Sequence, residues 1–342
     1  MLPYSPESYI STLRFRQGRT ILVEGRWDRL LILSLIHCLQ GHGVTQVRDI
    51  EVDTAEVLQS VGMASGNREK VEYYHDLAFS QNLRLAAMVD REYRDFGFCP
   101  RVEDMSNTHR VIEGSLFWTR GHSIENYFIE IRNVINILAT QFLSELPPDY
   151  DMALARYFVQ IVYSTSIVTL AARHAGLLKR FEGISTPQFW IIDESGDIRI
   201  QISIIESLLR DRGIDDSALQ MFKSGFDCYY ESVPSSLPAL HRWVAHGHIG
   251  MQMIWAGVAK VIEIGIDTQH EKDRQALLQS FDESQVASEM GRKIKNKRRV
   301  VNDIANGQWE RRMETSCAFW AGICVNGDDE QPTALIDWIS SL

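Results

Sequence analysis

The chain has 342 residues, 45% hydrophobic and 23% charged, with 35 basic against 45 acidic side chains for a net charge of −10. That length buries a core without disulfide or metal staples, and that composition is the one of an ordinary folded globular protein. The negative balance excludes a surface coated all over with nucleic acid but leaves room for one basic patch.

Five cysteines, Cys38, Cys99, Cys228, Cys317 and Cys324, are scattered and form no CxxC pair. Neither a disulfide framework nor a zinc ribbon is expected, and a reducing, cytoplasmic setting fits best. The opening MLPYSPESY lacks the basic and apolar regions of a secretion signal. The longest uncharged runs lie between Arg156 and Arg173 and between Arg242 and Lys260. Both are shorter than the ~20 residues of a spanning helix and carry polar groups, so they are read as buried segments and no membrane contact is expected.

In chain order, residues 20–23 form a short apolar strand, and residues 28–39 are apolar on nearly every side, as in a helix packed between layers. The β-branched residues of 44–52 predict a second strand, 67–81 an amphipathic helix, and 83–89 a third strand ending in VDREYRDFG. Residues 116–119 predict a fourth strand, followed by HSIENYFI. Strand, helix, strand, helix, strand gives an α/β fold with a small, mostly parallel sheet flanked by helices. Beyond about Arg132 the apolar spacing turns helical, over 134–143, 152–178, 200–209 and 251–262. FWIIDESGDIRI at 189–200 interrupts it as a β-hairpin, and 147–148 and 232–238 punctuate it with prolines. The expected division is an α/β domain over 1–131 and a mainly α-helical C-terminal domain over 132–342.

Ligands of open α/β sheets gather at the carboxyl ends of the strands. Glu24 follows the first strand, and Asp90 and Glu92 follow the third. On an extended segment residues i and i+2 point to one side, so Asp90 and Glu92 are expected to share an ion. Mg²⁺ takes oxygen ligands, typically one or two carboxylates plus waters. Glu24, Asp90 and Glu92 are therefore the candidate metal ligands and catalytic residues, with Glu24 as ligand or general acid/base. Asp28 is either a supporting acid or a helix-capping residue. Glu125 either joins the same edge or makes a local hydrogen bond with Asn126 and the backbone. Arg26 and Arg29 flank the site, to hold a phosphate or to pair with nearby acids.

ILVEG with Asp28, followed by LAAMVDRE, resembles the TOPRIM domain of topoisomerases, primases and OLD-type nucleases. HSIENYF, with Glu125 and Asn126, is similar to a TOPRIM-related family of bacterial defence proteins, the toxic effectors of PARIS anti-phage systems. The resemblance covers about residues 20–129. It implies that Glu24, Asp90 and Glu92 hold Mg²⁺. The usual pattern there is Asp-x-Asp, which leaves Glu92 or Asp95 as the second ligand of the third strand. It also implies cleavage of transfer RNA, an active homodimer, and restraint by a separate ABC-type ATPase until a phage trigger is sensed. The alternatives are an OLD-like DNA nuclease and a non-catalytic interaction subunit.

GRKIKNKRR at 291–299 holds six basic residues and no acid. Lys293, Lys295, Lys297, Arg298 and Arg299 are the candidate nucleic-acid-binding residues, the other readings being a solvated helix face or a contact for an acidic partner. Trp309, Arg311 and Arg312 follow and would add stacking and charge. His241, His246 and His248 carry no recognisable third zinc ligand. No GxxxxGK[ST] occurs, so any nucleotide-driven regulation falls to a partner.

Overall fold

Arg19–Val23 forms β1, and every residue of it after Arg19 is buried. The computed structural model describes residues 3–62, 66–98, 101–105, 110–112, 115–233, 238–279, 283–326 and 333–342; Cys99 and residues 234–237 of the proline-rich 232–238 stretch lie outside them. β1 pairs in parallel with β2 (Ile50–Thr54) and β3 (Leu85–Val89). β3 in turn pairs in parallel with β5 (Leu116–Trp118), to which β4 (Arg110–Ile112) adds an antiparallel edge. The order β2-β1-β3-β5-β4 sets β1 and β3, the most fully buried strands, inside the sheet with a strand on either side, as burial on both faces requires.

The helices α1 (Pro6–Phe15), α2 (Arg26–Gly41) and α3 (Asn67–Phe79) flank this sheet. One sheet face, with Leu22, Leu85, Ala87, Val89 and Leu116, packs on Tyr9, Ile10 and Leu13 of α1 and on Val71, Tyr74 and Ala78 of α3. The alternate residues Ile21, Val23, Ala86, Met88 and Phe117 are buried as well, so both faces are covered. Phe117 stacks on Trp338 at 5.0 Å, and Tyr127 meets Trp320 at 4.9 Å. These tryptophans sit on α13 (Trp309–Val325) and α14 (Thr333–Ser341).

The chain accordingly divides into two compact units that are not consecutive in sequence. Unit 1 joins Met1–Phe96 and Asp104–Phe128 to Arg311–Leu342; unit 2 is Gly97–Glu103 with Ile129–Glu310. A linear split at 131/132 misses this, because the apolar pattern of 311–342 is helical like the preceding region's and carries no mark of which core it joins.

Unit 2 is helical. The four-residue α4 (Glu125–Phe128) closes the second segment of unit 1, and unit 2 then runs through α5 (Ile131–Phe142), α6 (Tyr150–His174), α7 (Leu178–Phe181), α8 (Ile202–Asp211), α9 (Asp216–Ser232) and α10 (Pro238–Val244). It ends in a hairpin of two long helices, α11 (Gly247–Leu278) and α12 (Glu283–Asn306). α6 packs against α9, α10 and α11. The expected β-hairpin forms from β6 (Trp190–Ile192) and β7 (Ile198–Ile200), with Gly196 at φ +82° in its turn, a conformation that favours glycine. α6 and α11 are long and apolar enough to cross a membrane, but 61% and 72% of their apolar windows are buried inside the protein.

Two element expectations change. Only 50–54 of the expected 44–52 strand forms β2, because Arg48 N–H closes a turn on Thr45 O. α11 extends sixteen residues beyond 262 (278 − 262), although its last buried residue is Ile266. The extension is polar and packs on α12, so its own apolar spacing fades before the helix ends.

Candidate active site

β1 and β3 are neighbours in parallel, so their carboxyl ends lie side by side. Glu24 and Asp90 are the first residues past them, and Asp90 N–H donates to Glu24 Oε1 at 2.7 Å. β5 ends on the same edge and leads through 119–124 to Glu125 at the start of α4. Gly25 caps α2, and its N–H donates to Asp28 Oδ2 at 2.9 Å. Both readings of Asp28 therefore apply, because it caps the helix and is itself buried, at 8% exposure, beside the other acids.

Glu24, Asp28, Asp90 and Glu125 form one electrostatic cluster. Burial pushes the Glu24 carboxyl up from the ordinary 4.5 to about 7, against the Asp90 amide hydrogen bond and the Arg68 charge, which pull it down. Burial, then the charges of Glu24 and Glu125, raise Asp28 well above its ordinary range. Burial, then the charges of Asp28, Glu24 and Glu125, do the same to Asp90. The Cys317 thiol on α13 is also raised, by burial first and then by Asp28 and Glu125, which brings Arg311–Leu342 to the same acids. Glu125 Oε2 accepts from Ser123 Oγ at 2.6 Å, and Asn126 Oδ1 accepts from Ser123 N–H at 2.8 Å. HSIENYF thus builds the expected local turn and also supplies a fourth carboxylate.

Glu92 is placed differently from the expectation. The strand stops before Asp90, and Glu92 lies in the left-handed region at φ +53°, so residues 90 and 92 are not successive same-side positions of an extended segment. Its N–H donates to His122 O at 2.7 Å, and its half-exposed carboxylate pairs with Arg68. Asp95, the other candidate, is also left-handed at φ +58°, and its carbonyl accepts from Arg91 and from Met105 N–H.

Arg91 holds this turn and was not legible as structural in the sequence. It is 1% exposed. It donates to Arg94 O, Arg120 O, Asp95 O and Asp104 Oδ1 over 2.7–3.0 Å and lies 4.0 Å over the Phe96 ring. An arginine within DREYRD reads as a surface residue. Of the flanking pair, Arg29 donates to Val52 O at 2.9 Å and so tethers α2 to β2. Arg26 is exposed, stacks on Trp27 at 4.7 Å and reaches Glu314 at 3.4 Å.

Among the described residues no three His, Cys, Asp or Glu side chains stand together as a finished coordination set. The donor chemistry nevertheless suits a hard divalent cation. Four carboxylates share one partly buried edge, and Asp90 Oδ1 is shut off from solvent with no hydrogen-bond partner. A buried, unpartnered carboxylate oxygen is unfavourable unless protonated or bound to a cation, and Mg²⁺ completes its shell with water around one or two carboxylates.

A pH dependence follows. Glu24 binds its proton more tightly folded than unfolded, so in metal-free protein its contribution to stability is full below about pH 4.5 and is lost as pH rises through about 7. The loss is on the order of 3 kcal/mol; Asp28 and Asp90 act in the same direction. Urea denaturation in chelator from pH 5 to 8 is expected to show wild type losing stability relative to Glu24→Gln. Parallel curves for the two proteins would refute this.

In unit 2 the basic segment lies on α12, and three of its five candidate residues are turned to acids. Lys293 pairs with Asp273; Lys297 reaches Asp267 at 2.8 Å and Glu263 at 3.7 Å; Arg299 reaches Glu145 at 2.7 Å. Lys295 and Arg298 are exposed and make no ion pair among the described residues. The patch is therefore largely the zipper of the α11–α12 hairpin, with two cations left facing solvent. Neutralising Lys295 and Arg298 together is expected to lower the slope of log affinity against log salt for RNA by about 2 at most. An unchanged slope in a filter-binding titration would remove these residues from any RNA interface.

The three histidines form no metal-ligating group among the described residues. His241 is buried against Tyr163, ring to ring at 4.8 Å; burial lowers His246 to about 4; His248 meets the Trp309 ring at 4.7 Å. Arg312 is buried rather than displayed.

No protein-family model matches the chain, and no curated protein is significantly similar to it.

Proposed function

We propose that the protein is a Mg²⁺-dependent phosphodiesterase of TOPRIM type that cleaves RNA. The observation that carries the reading is the delivery of Glu24 and Asp90 to one sheet edge by adjacent parallel strands, tied by a 2.7 Å hydrogen bond and joined by Asp28 and Glu125. Glu24 and Asp90 would hold the cation, with Asp28 and Glu125 adding negative charge around it. When bound there, Mg²⁺ supplies Lewis-acid stabilisation of charge on a phosphodiester. As a ligand of the cation Glu24 would be ionised, so the rise of its carboxyl to about 7 belongs to the metal-free protein alone. Asp28 fixes the start of α2 and the Gly25 backbone beside it.

The resemblance of ILVEG and LAAMVDRE to TOPRIM domains, and of HSIENYF to the PARIS effectors, narrows the proposal. The substrate is transfer RNA, the setting is anti-phage defence by a toxic effector, and the active form is a homodimer in the cytoplasm. An ABC-type ATPase partner restrains it until a phage trigger is sensed. The test is to express wild type and Glu24→Gln and sequence RNA termini in both. New ends that appear only with wild type support the reading and identify the substrate. Cut DNA with intact RNA would assign an OLD-like DNA nuclease instead, and intact nucleic acid of both kinds would leave an interaction subunit.

A further inference from the structure

The arginines near the carboxylate edge differ in how fully they are used. Arg91 spends its donors on four acceptors and is buried. Arg94 is bound to Glu72 at 2.7 Å and lies 4.6 Å over the Trp118 ring. Arg29 is committed to a backbone carbonyl. Arg68, in the first turn of α3, is different. One terminal nitrogen meets Glu92, the other is 3.5 Å from Glu69, and its Nε is buried with no hydrogen-bond partner. Its side chain is 21% exposed, while that of Glu92 is 50% exposed. Arg68 is also the cation whose charge acts on Glu24.

A half-exposed carboxylate is a weak, exchangeable partner, since solvent screens such a pair and holding it costs side-chain entropy. A phosphodiester offers two non-bridging oxygens that the guanidinium fork can bind together, whereas here its two terminal nitrogens reach two different carboxylates. We infer that Arg68 positions the scissile phosphate: the substrate's phosphodiester displaces Glu92 from the guanidinium and is thereby set beside Glu24 and Asp90. This rests on the phosphodiesterase reading. Glu92 then acts as a placeholder that keeps the guanidinium oriented at the rim of the site until substrate arrives.

The full chain carrying Arg68→Ala, Arg68→Lys or Glu92→Gln is compared with wild type. Binding of a phosphorothioate-substituted single-stranded oligoribonucleotide is measured by fluorescence anisotropy in Ca²⁺. Cleavage of the unmodified oligonucleotide in Mg²⁺ and binding of Mn²⁺ are measured alongside. Arg68→Ala is expected to weaken oligonucleotide binding or raise KM roughly tenfold, without weakening Mn²⁺ binding. Arg68→Lys should recover part of this, because a point charge lacks the fork. Glu92→Gln should tighten binding, since it frees the guanidinium; a merely structural ion pair predicts no such opposite signs. If Arg68→Ala binds and cleaves as wild type does while Glu24→Gln is inactive, the role of Arg68 is overturned and the nuclease reading stands. If wild type binds and cleaves neither the oligonucleotide nor transfer RNA in the same assays, both are overturned.

Discussion

Glu24→Gln is expected to lower Mg²⁺-dependent RNA cleavage by at least about a hundredfold, the scale of the charge stabilisation that a well-held metal supplies, and to abolish toxicity on expression. The amide keeps an oxygen that accepts the Asp90 N–H bonded to Glu24 Oε1 at 2.7 Å, so the join between β1 and β3 survives. What disappears is the negative charge. In chelator at pH 8 the variant should unfold at the same urea concentration as wild type or a higher one, because a neutral amide replaces a carboxylate that burial already disfavours. Loss of cleavage with stability kept or gained separates chemistry from folding. A Glu24→Gln protein that cleaves RNA and kills as wild type does would end the proposed mechanism.

Arg91→Met should destabilise unit 1 by about 3–5 kcal/mol, the range for removing one partner of a buried pair. The substitution takes the Arg91 guanidinium from the Asp104 carboxylate, only 9% exposed, and removes one donor each from the carbonyls of Arg94, Asp95 and Arg120. Methionine fills much of the same volume over Phe96, so the loss measures the polar network rather than a cavity. Asp104→Asn in the Arg91→Met background should recover part of the loss, because a poorly exposed charge that has lost its guanidinium is then neutral. Urea denaturation of the single and double variants reads this directly. A loss under about 1 kcal/mol would mean that the turn after β3 does not depend on its arginine. Cleavage should fall even where the protein remains folded, since this turn carries Asp90 and Glu92 into place.

The alternation of strand and helix from residue 20 to 89 was legible because each element has its own period, whereas α1 at Pro6–Phe15 and the edge strand Arg110–Ile112 were not. An all-apolar run of four or five residues marks a central parallel strand, and 67–79 repeats at helical spacing. The edge where Glu24 and Asp90 meet followed from strand order alone, since any parallel neighbours bring their carboxyl ends together. Glu92 shows the limit. Spacing two from Asp90 implies a shared side only while the chain stays extended, and a buried Arg91 with a left-handed residue 92 ends that extension at once. Asp28 and Glu125 looked secondary for a related reason. Each has a local hydrogen-bonding duty visible in sequence, and nothing local shows that their charges converge.

The sequence by itself determined a parallel α/β sheet with acids at its carboxyl edge, because periodicity and strand-end position are local properties of the chain. The tertiary structure alone decided three further matters. It placed Arg311–Leu342 with the sheet, through Trp320 on Tyr127 and Trp338 on Phe117. It turned Lys293, Lys297 and Arg299 onto acids of their own chain. It made the acidic edge Glu24, Asp28, Asp90 and Glu125, with Glu92 held by Arg68. Which charges face one another, and which core a helix joins, depend on residues far apart in the chain, and those are set by packing rather than by any local pattern.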